Sequence, residues 1–514
     1  MKGQITEGRA LTADVAERCD VLVIGSGAGG AVLAAGLVEA GLDVVMLEAG
    51  PYQTRRSFQG DEGAAFVNLY QEQGARATAD LSIAVLQGRS VGGSTTVNWT
   101  TCFRTPPRVL RHWAEVHGIE GLDEESLRPH FEAIEQRLGI ATWPEERANE
   151  NNRALLRGAR ALGWEASPLR RNVRGCANSG LCGVGCPVDG KQGMHVTFLP
   201  DAVEGGLRLY SDVEVDTLTM RDGRVSGAVA RVRAPGSRAT MGRVVQVQAK
   251  VVALCGGAIN SPALLLRSGL NPNGRVGLRT FIHPVIGVAG VYDHLIAPYA
   301  GAPQSVGSHQ FIDRGADKMG FFLEAAPMQP MLASTATAMI GPQLGDFLAR
   351  LPNLSALLSL HVDGLLPGDE GGVVSLKPSG DPKLDYPVRP ALIEAMAESH
   401  KVLAKVHLAA GAREVGTLHA QPVLLRAEAD LPLLDQAPYG AFQHAIFTAH
   451  QMGGCTMGPK PENSVVRPDH RHHTVENLFV VDGSALPTAL GVNPSQTVYG
   501  LAHRARAFVA AAVG

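Results

Sequence analysis

Between residues 20 and 50 the chain reads DVLVIGSGAGGAVLAAGLVEAGLDVVMLEAG, and the spacing of its apolar positions changes twice. The β-branched run 21–24 predicts a buried strand. The Ala- and Leu-rich stretch after Gly30 predicts a helix ended by Gly41, and 44–47 predicts a second strand closing on Glu48. Residues 206–256 are rich in valine, with turn signals at Asp222-Gly223 and Pro235-Gly236, which predicts strands joined by hairpins. Further on, EGGVVSLKPSGDPKLDYPV predicts strand, turn, strand, and GVNPSQTVYGLAHRARAFVAAAV predicts a long helix with Asn493 as N-cap and Pro494 first in the helix. Strands alternating with helices at the start, and hairpins later, predict an α/β protein with an antiparallel part.

The order strand, glycine turn, helix, strand, acid is that of a dinucleotide-binding unit. Gly25 permits the tight turn, Gly27 lets backbone approach a pyrophosphate, and Gly30 lets helix and strand pack closely. The helix N-terminus then presents free N–H groups and positive potential to the phosphates. Glu48, 18 residues past Gly30, is placed to accept hydrogen bonds from a ribose diol, which suits NAD or FAD better than NADP.

At 514 residues the chain outgrows a single core, so two or more domains are expected. A net charge of −3 gives no electrostatic reason to expect nucleic acid as a partner. No apolar run reaches 18 residues, so no membrane span is expected, and MKGQITEGRALTADVAER does not read as a signal peptide. Seven cysteines, scattered except for Cys176, Cys182 and Cys186, suit a reducing cytoplasm.

Four further stretches stand out: GRSVGGSTTVN (88–98), GAINSPALLLRSGL (257–270), HQMGGCTMG (450–458) and NLFVVDGSALPTALGVNPSQTVYGLAHRA (477–505). With the N-terminal unit they resemble the glucose–methanol–choline (GMC) family of flavin-dependent oxidoreductases, from about residue 19 to 510. Asn271 and Cys102 depart from the two signature patterns at positions that carry no chemistry. The resemblance implies a Rossmann-like FAD-binding domain built from residues 1–100, 200–280 and 440–514. An α+β substrate domain with an antiparallel sheet would take 101–199 and 281–439. It places Gly92, Gly93, Ser94 and Asn98 along the pyrophosphate and isoalloxazine, Val215 against adenine, and Asp482 with Gly483 beside the phosphate and ribityl chain. It puts Asn493 and Pro494 at the helix start facing the flavin. Some members tether FAD through a histidine in the 88–98 region. None occurs before residue 112 here, so non-covalent FAD is expected.

Flavin-dependent alcohol oxidation needs a base near working pH, which favours histidine. The resemblance gives that part to His450 and makes Asn493 a hydrogen-bond donor to the substrate oxygen, a pairing nearest the cholesterol-oxidase and long-chain-alcohol-oxidase types. The stretch 321–364 is apolar with three central methionines and points to an apolar primary or secondary alcohol. Oxygen or another acceptor would reoxidise the flavin. Two other functions stay open: a hydroxynitrile-lyase type with redox-silent FAD, and the flavoprotein subunit of an iron–sulfur dehydrogenase. The spacing C-x5-C-x3-C-P at Cys176, Cys182 and Cys186 reads as a glycine-rich structural loop, with an iron–sulfur cluster as the alternative. No resident metal is expected.

Overall fold

The computed structural model describes residues 3–234 and 239–514. Two large sheets organise it. The first has eight strands in the order Gln4–Glu7, Arg208–Ser211, Val44–Leu47, Val15–Ile24, Thr240–Leu254, Arg224–Arg233, Val213–Arg221, with Leu478–Val480 also paired to Thr240–Leu254. Pairings from Gln4–Glu7 through to Thr240–Leu254 and Leu478–Val480 are parallel, and the last two hairpin strands are antiparallel. All four residues of Val44–Leu47 are buried, as are 21–24, because helices cover the parallel part on both faces. The helix Ala28–Glu39 packs on Phe198–Glu204 and on Ser495–Ala511.

The predicted turn at Asp222-Gly223 joins two strands directly, with φ of 51° and 74° at the two residues, as a tight two-residue hairpin requires. The one predicted at Pro235-Gly236 lies outside the described residues. Val373–Leu376 and Pro382–Asp385 form the expected strand, turn, strand.

The second sheet runs Leu424–Leu425, Glu414–Thr417, Val285–Val291, Leu354–His361, Phe321–Ala325, Val306–Ser308, Ser167–Pro168, antiparallel throughout. Phe447–Thr448 joins it at Val285 and pairs in turn with Ala84–Val85. That short strand carries the chain from the second sheet to His450. The architecture is thus α/β with a mixed first sheet and a second one that is antiparallel except for the short pair Phe447–Thr448 with Ala84–Val85.

One local expectation fails. Pro494, not Asn493, is the cap of the helix Ser495–Ala511, and no side chain caps it. Asn493 sits one residue further back and turns its amide to other partners, described below.

Candidate active site

The two sheets meet at a cavity of about 600 Å³, within the range of small-molecule and cofactor sites. At one end lie Gly25, Gly27, Ala28 and Gly29, with Glu48, Val215, Asp482 and Gly483 around them. Gly93, which abuts Gly27, and Ser94 and Asn98 also line it, as do His450, Asn493 and Pro494. These sequence-predicted residues, drawn from segments hundreds of positions apart, therefore share one wall. Gly30 and Gly92 do not line it. A Cβ on Gly30 would stand 1.9 Å from the Gly25 carbonyl oxygen, so its part is the close packing of helix on strand. The Gly92 N–H donates to Ser26 Oγ at 3.0 Å, fixing the turn behind the cavity.

The cradle fits a dinucleotide on its own geometry. Gly93 comes so near the glycine turn that a Cβ there would be 2.7 Å from Gly27 Cα, leaving bare backbone facing the cavity. Glu48 is buried and accepts from Ser26 N at 2.9 Å, Ser26 Oγ at 2.7 Å and Gly50 N at 2.7 Å, which holds its carboxyl at the end of Val44–Leu47. Asp482 accepts from Gly257 N at 2.8 Å and Ser261 Oγ at 2.6 Å, tying two cavity-lining segments together.

At the far end the apolar wall is Trp99, Val285, Leu358, Leu360 and Phe447. Of the stretch expected to form this wall, Leu358 and Leu360 do so, but its methionines do not. Met328 packs in a separate cluster with Val291, Phe347 and Leu351, and Met331 is exposed.

Against this wall, His450 Nε2 lies 3.3 Å from Asn493 Nδ2. Burial pushes the His450 pKa down to about 4, so the ring is neutral at working pH. Behind the pair stand three residues that the sequence reading missed. His283 places its Nδ1 3.2 Å from His450 Nδ1. Asn493 Nδ2 donates to Glu324 Oε2 at 3.5 Å, and Gln304 Nε2 donates to the same oxygen at 2.6 Å. Burial pushes Glu324 up to about 8. A signal for Glu324 existed: it is the one charge in the apolar run FFLEAA, and a carboxyl is seldom buried without a task. His283 offered none.

The cysteine stretch also has a defined place. Lys191 is buried and its Nζ donates to the carbonyls of Asn98 (3.1 Å), Cys182 (2.7 Å) and Thr96 (2.5 Å), so it pins the cysteine loop beneath the 93–98 turn. Among the described residues no group of three or more His, Cys, Asp or Glu is placed to hold a metal ion. No described helix is long and apolar enough to cross a membrane.

Family models described as GMC oxidoreductase match residues 66–285 and 367–502, more than half of the chain. The chain belongs to the GMC oxidoreductase family. Among its relatives is the uncharacterized GMC-type oxidoreductase Rv0492c of Mycobacterium tuberculosis, 33% identical over 94% of this chain and 75% of that protein. Another is the long-chain-alcohol oxidase FAO4A of Arabidopsis thaliana, 31% identical over 97% of this chain and 69% of that one. The fold matches pyridoxine 4-oxidase from Mesorbium loti with a TM-score of 0.69 at 19% identity, covering 95% of this chain and 99% of that one. This GMC protein is an oxidoreductase.

Proposed function

We propose that this GMC oxidoreductase binds FAD non-covalently and oxidises a primary or secondary, apolar alcohol to an aldehyde or ketone. The observation that carries the reading is a single cavity with a bare-backbone cradle and a buried, cavity-lining Glu48 at one end. Its other end brings the polar pair His450 and Asn493 up against an apolar wall. A bound flavin there supplies an acceptor for hydride from the carbinol carbon. The chain's own part is to hold the hydroxyl between His450 and Asn493, to seat the alkyl part on Trp99, Val285, Leu358, Leu360 and Phe447, and to take up the hydroxyl proton. Resemblance at about 30% identity to plant long-chain-alcohol oxidases supports the substrate class. Among the described residues His450 alone of the histidines lines the cavity, which supports a non-covalent FAD. The first sheet's segments, 1–100, 200–280 and 440–514, would be the cofactor unit, and 101–199 with 281–439 the substrate unit.

Anaerobic addition of a long-chain primary alcohol to the purified yellow protein should bleach the flavin, whereas glucose and choline should not. Protein that is colourless and takes up no FAD would overturn the flavoenzyme reading. Flavin untouched by every alcohol, together with cleavage of a cyanohydrin, would make it a lyase.

A further inference from the structure

The cysteine loop takes no part in the chemistry above, yet it reaches the cavity through one side chain. Leu181–Val184 forms a single helical turn between two glycines of positive φ, Gly180 at 76° and Gly185 at 96°. Three side chains hold its backbone. Gln329 Nε2 donates to the Gly180 carbonyl, Lys191 Nζ to that of Cys182 and the Tyr70 hydroxyl to that of Gly183, each at 2.7 Å, and all three donors are buried. A Cβ on Gly180 would stand 2.0 Å from the Tyr299 carbonyl oxygen, so the start of the turn is seated directly on a neighbouring backbone.

Lys191 does more than hold this turn. An ammonium group has three donors, and the other two go to the Thr96 and Asn98 carbonyls. One buried cation thus ties Cys182 to Asn98, and the residues that follow them, Gly183 and Trp99, meet. A Cβ on Gly183 would lie 3.0 Å from Trp99 Nε1 and 3.8 Å from Trp99 Cδ1. Gly183 is not among the glycines of positive φ, so space and not backbone conformation calls for glycine there. Trp99 lines the cavity and Gly183 does not, so the indole stands between Gly183 and the space where a substrate would sit. Trp99 also packs on the cluster that includes Val285, Leu358 and Leu360, which line the same wall.

We propose that Gly183 is a specificity-determining position: its missing side chain lets Trp99 stand back, and the cysteine loop, clamped by Lys191, thereby sets the width of the apolar part of the cavity. A methyl group at 183 cannot push the loop away, because the loop's carbonyls are engaged by buried donors. It pushes the indole instead, whose ring is held by apolar packing while Arg171 Nη2 fixes the backbone through the Trp99 carbonyl at 3.2 Å. In a close-packed wall even a small inward shift is felt by a substrate that fills it. The inference rests on the alcohol-oxidation reading for the class of substrate, but two of its measurements do not need oxidation.

The test compares FAD-loaded wild type and Gly183→Ala with a slim alcohol, n-decanol, and a broad one, cyclohexylmethanol. For the broad alcohol kcat/KM should fall about 10-fold further than for the slim one, as a misfit of methyl size in an apolar pocket does. A variant that is merely loosened would lose equally on both. Adding Trp99→Phe, a smaller ring, should return much of the loss on the broad alcohol. Calorimetry with the non-oxidisable amides decanamide and cyclohexylacetamide should give the same bias in Kd, and a crystal structure of Gly183→Ala should show the indole moved into the cavity. An indole that stays in place while the loop moves, or an equal loss on both alcohols, would overturn the proposal. Should Gly183→Ala fail to fold, Trp99→Phe alone decides: it should favour the broad ligand, and an unaltered preference would overturn the proposal. If no alcohol reduces the flavin, the functional reading falls while the amide affinities and the indole position still decide this one.

Discussion

Glu324 occupies the middle of Phe321–Ala325, a strand buried at every position, and its carboxyl is 1% exposed. Desolvation raises its pKa to about 8, only partly offset by the amides of Asn493 and Gln304. Glu324 does not line the cavity, so its carboxyl acts on the site only through the Asn493 amide it holds. Flavin reduction should therefore show a limb near pH 8, where ionisation of Glu324 changes its hold on the Asn493 amide. Glu324→Gln should lose that limb and less of the rate than His450→Ala does, with the flavin still bound. Stopped-flow reduction across pH checks it, and an unchanged limb in the Gln variant would remove Glu324 from the reaction. His450→Ala should cost more than Asn493→Ala in the same assay, since an imidazole can take up the hydroxyl proton and an amide cannot. His450 and Asn493 were legible because each stands in a contiguous motif. The contact between the His450 and His283 rings was not, because it reaches across 167 positions to a residue in an ordinary apolar run.

At the scale of elements, the glycine turn, its helix and the two flanking strands were legible because local spacing and local structure agree there, although the first strand begins at Val15 rather than 21 and the helix at Ala28. The cap of Ser495–Ala511 was misplaced by one residue. Asn493 has the composition of a cap, but its side chain finds better partners in Glu324 and His450 than in the helix's own N–H groups. The methionines of 321–364 misled in the same way, since composition shows that a segment is apolar and not which cluster it fills. The glycines give a clean contrast. Gly30→Ala would drive a Cβ into the Gly25 carbonyl at 1.9 Å and should abolish FAD retention, because the turn and the helix start must part. Gly163→Ala meets nothing within 4 Å and carries only the strain of a φ of 71°. It should cost about 1 kcal/mol and leave FAD bound. Thermal melting and flavin content of the two variants test this, and equal losses would show that space at Gly30 is not what matters.

Across the whole molecule, the two-sheet plan was implied by the motifs, yet the meeting of the sheets was not, because nothing local encodes which faces pack. One consequence of that packing is a large set of buried, neutral histidines. His361, His407, His444, His450 and His470 each have their pKa pushed down to about 4, desolvation being the largest cause. A group depressed from 6.5 to about 4 binds fewer protons folded than unfolded in that interval, so stability rises with pH across it. Glu324, raised to about 8, and Asp363, raised to about 7, act oppositely: the folded state holds their protons longer, and stability falls as pH climbs toward those values. The histidines outnumber these two carboxyls, so the melting temperature should climb from about pH 4 to about 6.5. Between about pH 6.5 and 8 the folded state still holds the protons of the two carboxyls, and it should level and then decline gently. His407, bonded to the Tyr292 hydroxyl at 3.1 Å and the Val288 carbonyl at 3.1 Å, gives a local check. His407→Gln should flatten the climb by about one proton's worth while leaving the decline above 6.5 in place. Melting curves of both proteins over this range measure the two slopes. A melting temperature that fell steadily from pH 4 upward would mean that the carboxyls outweigh the histidines.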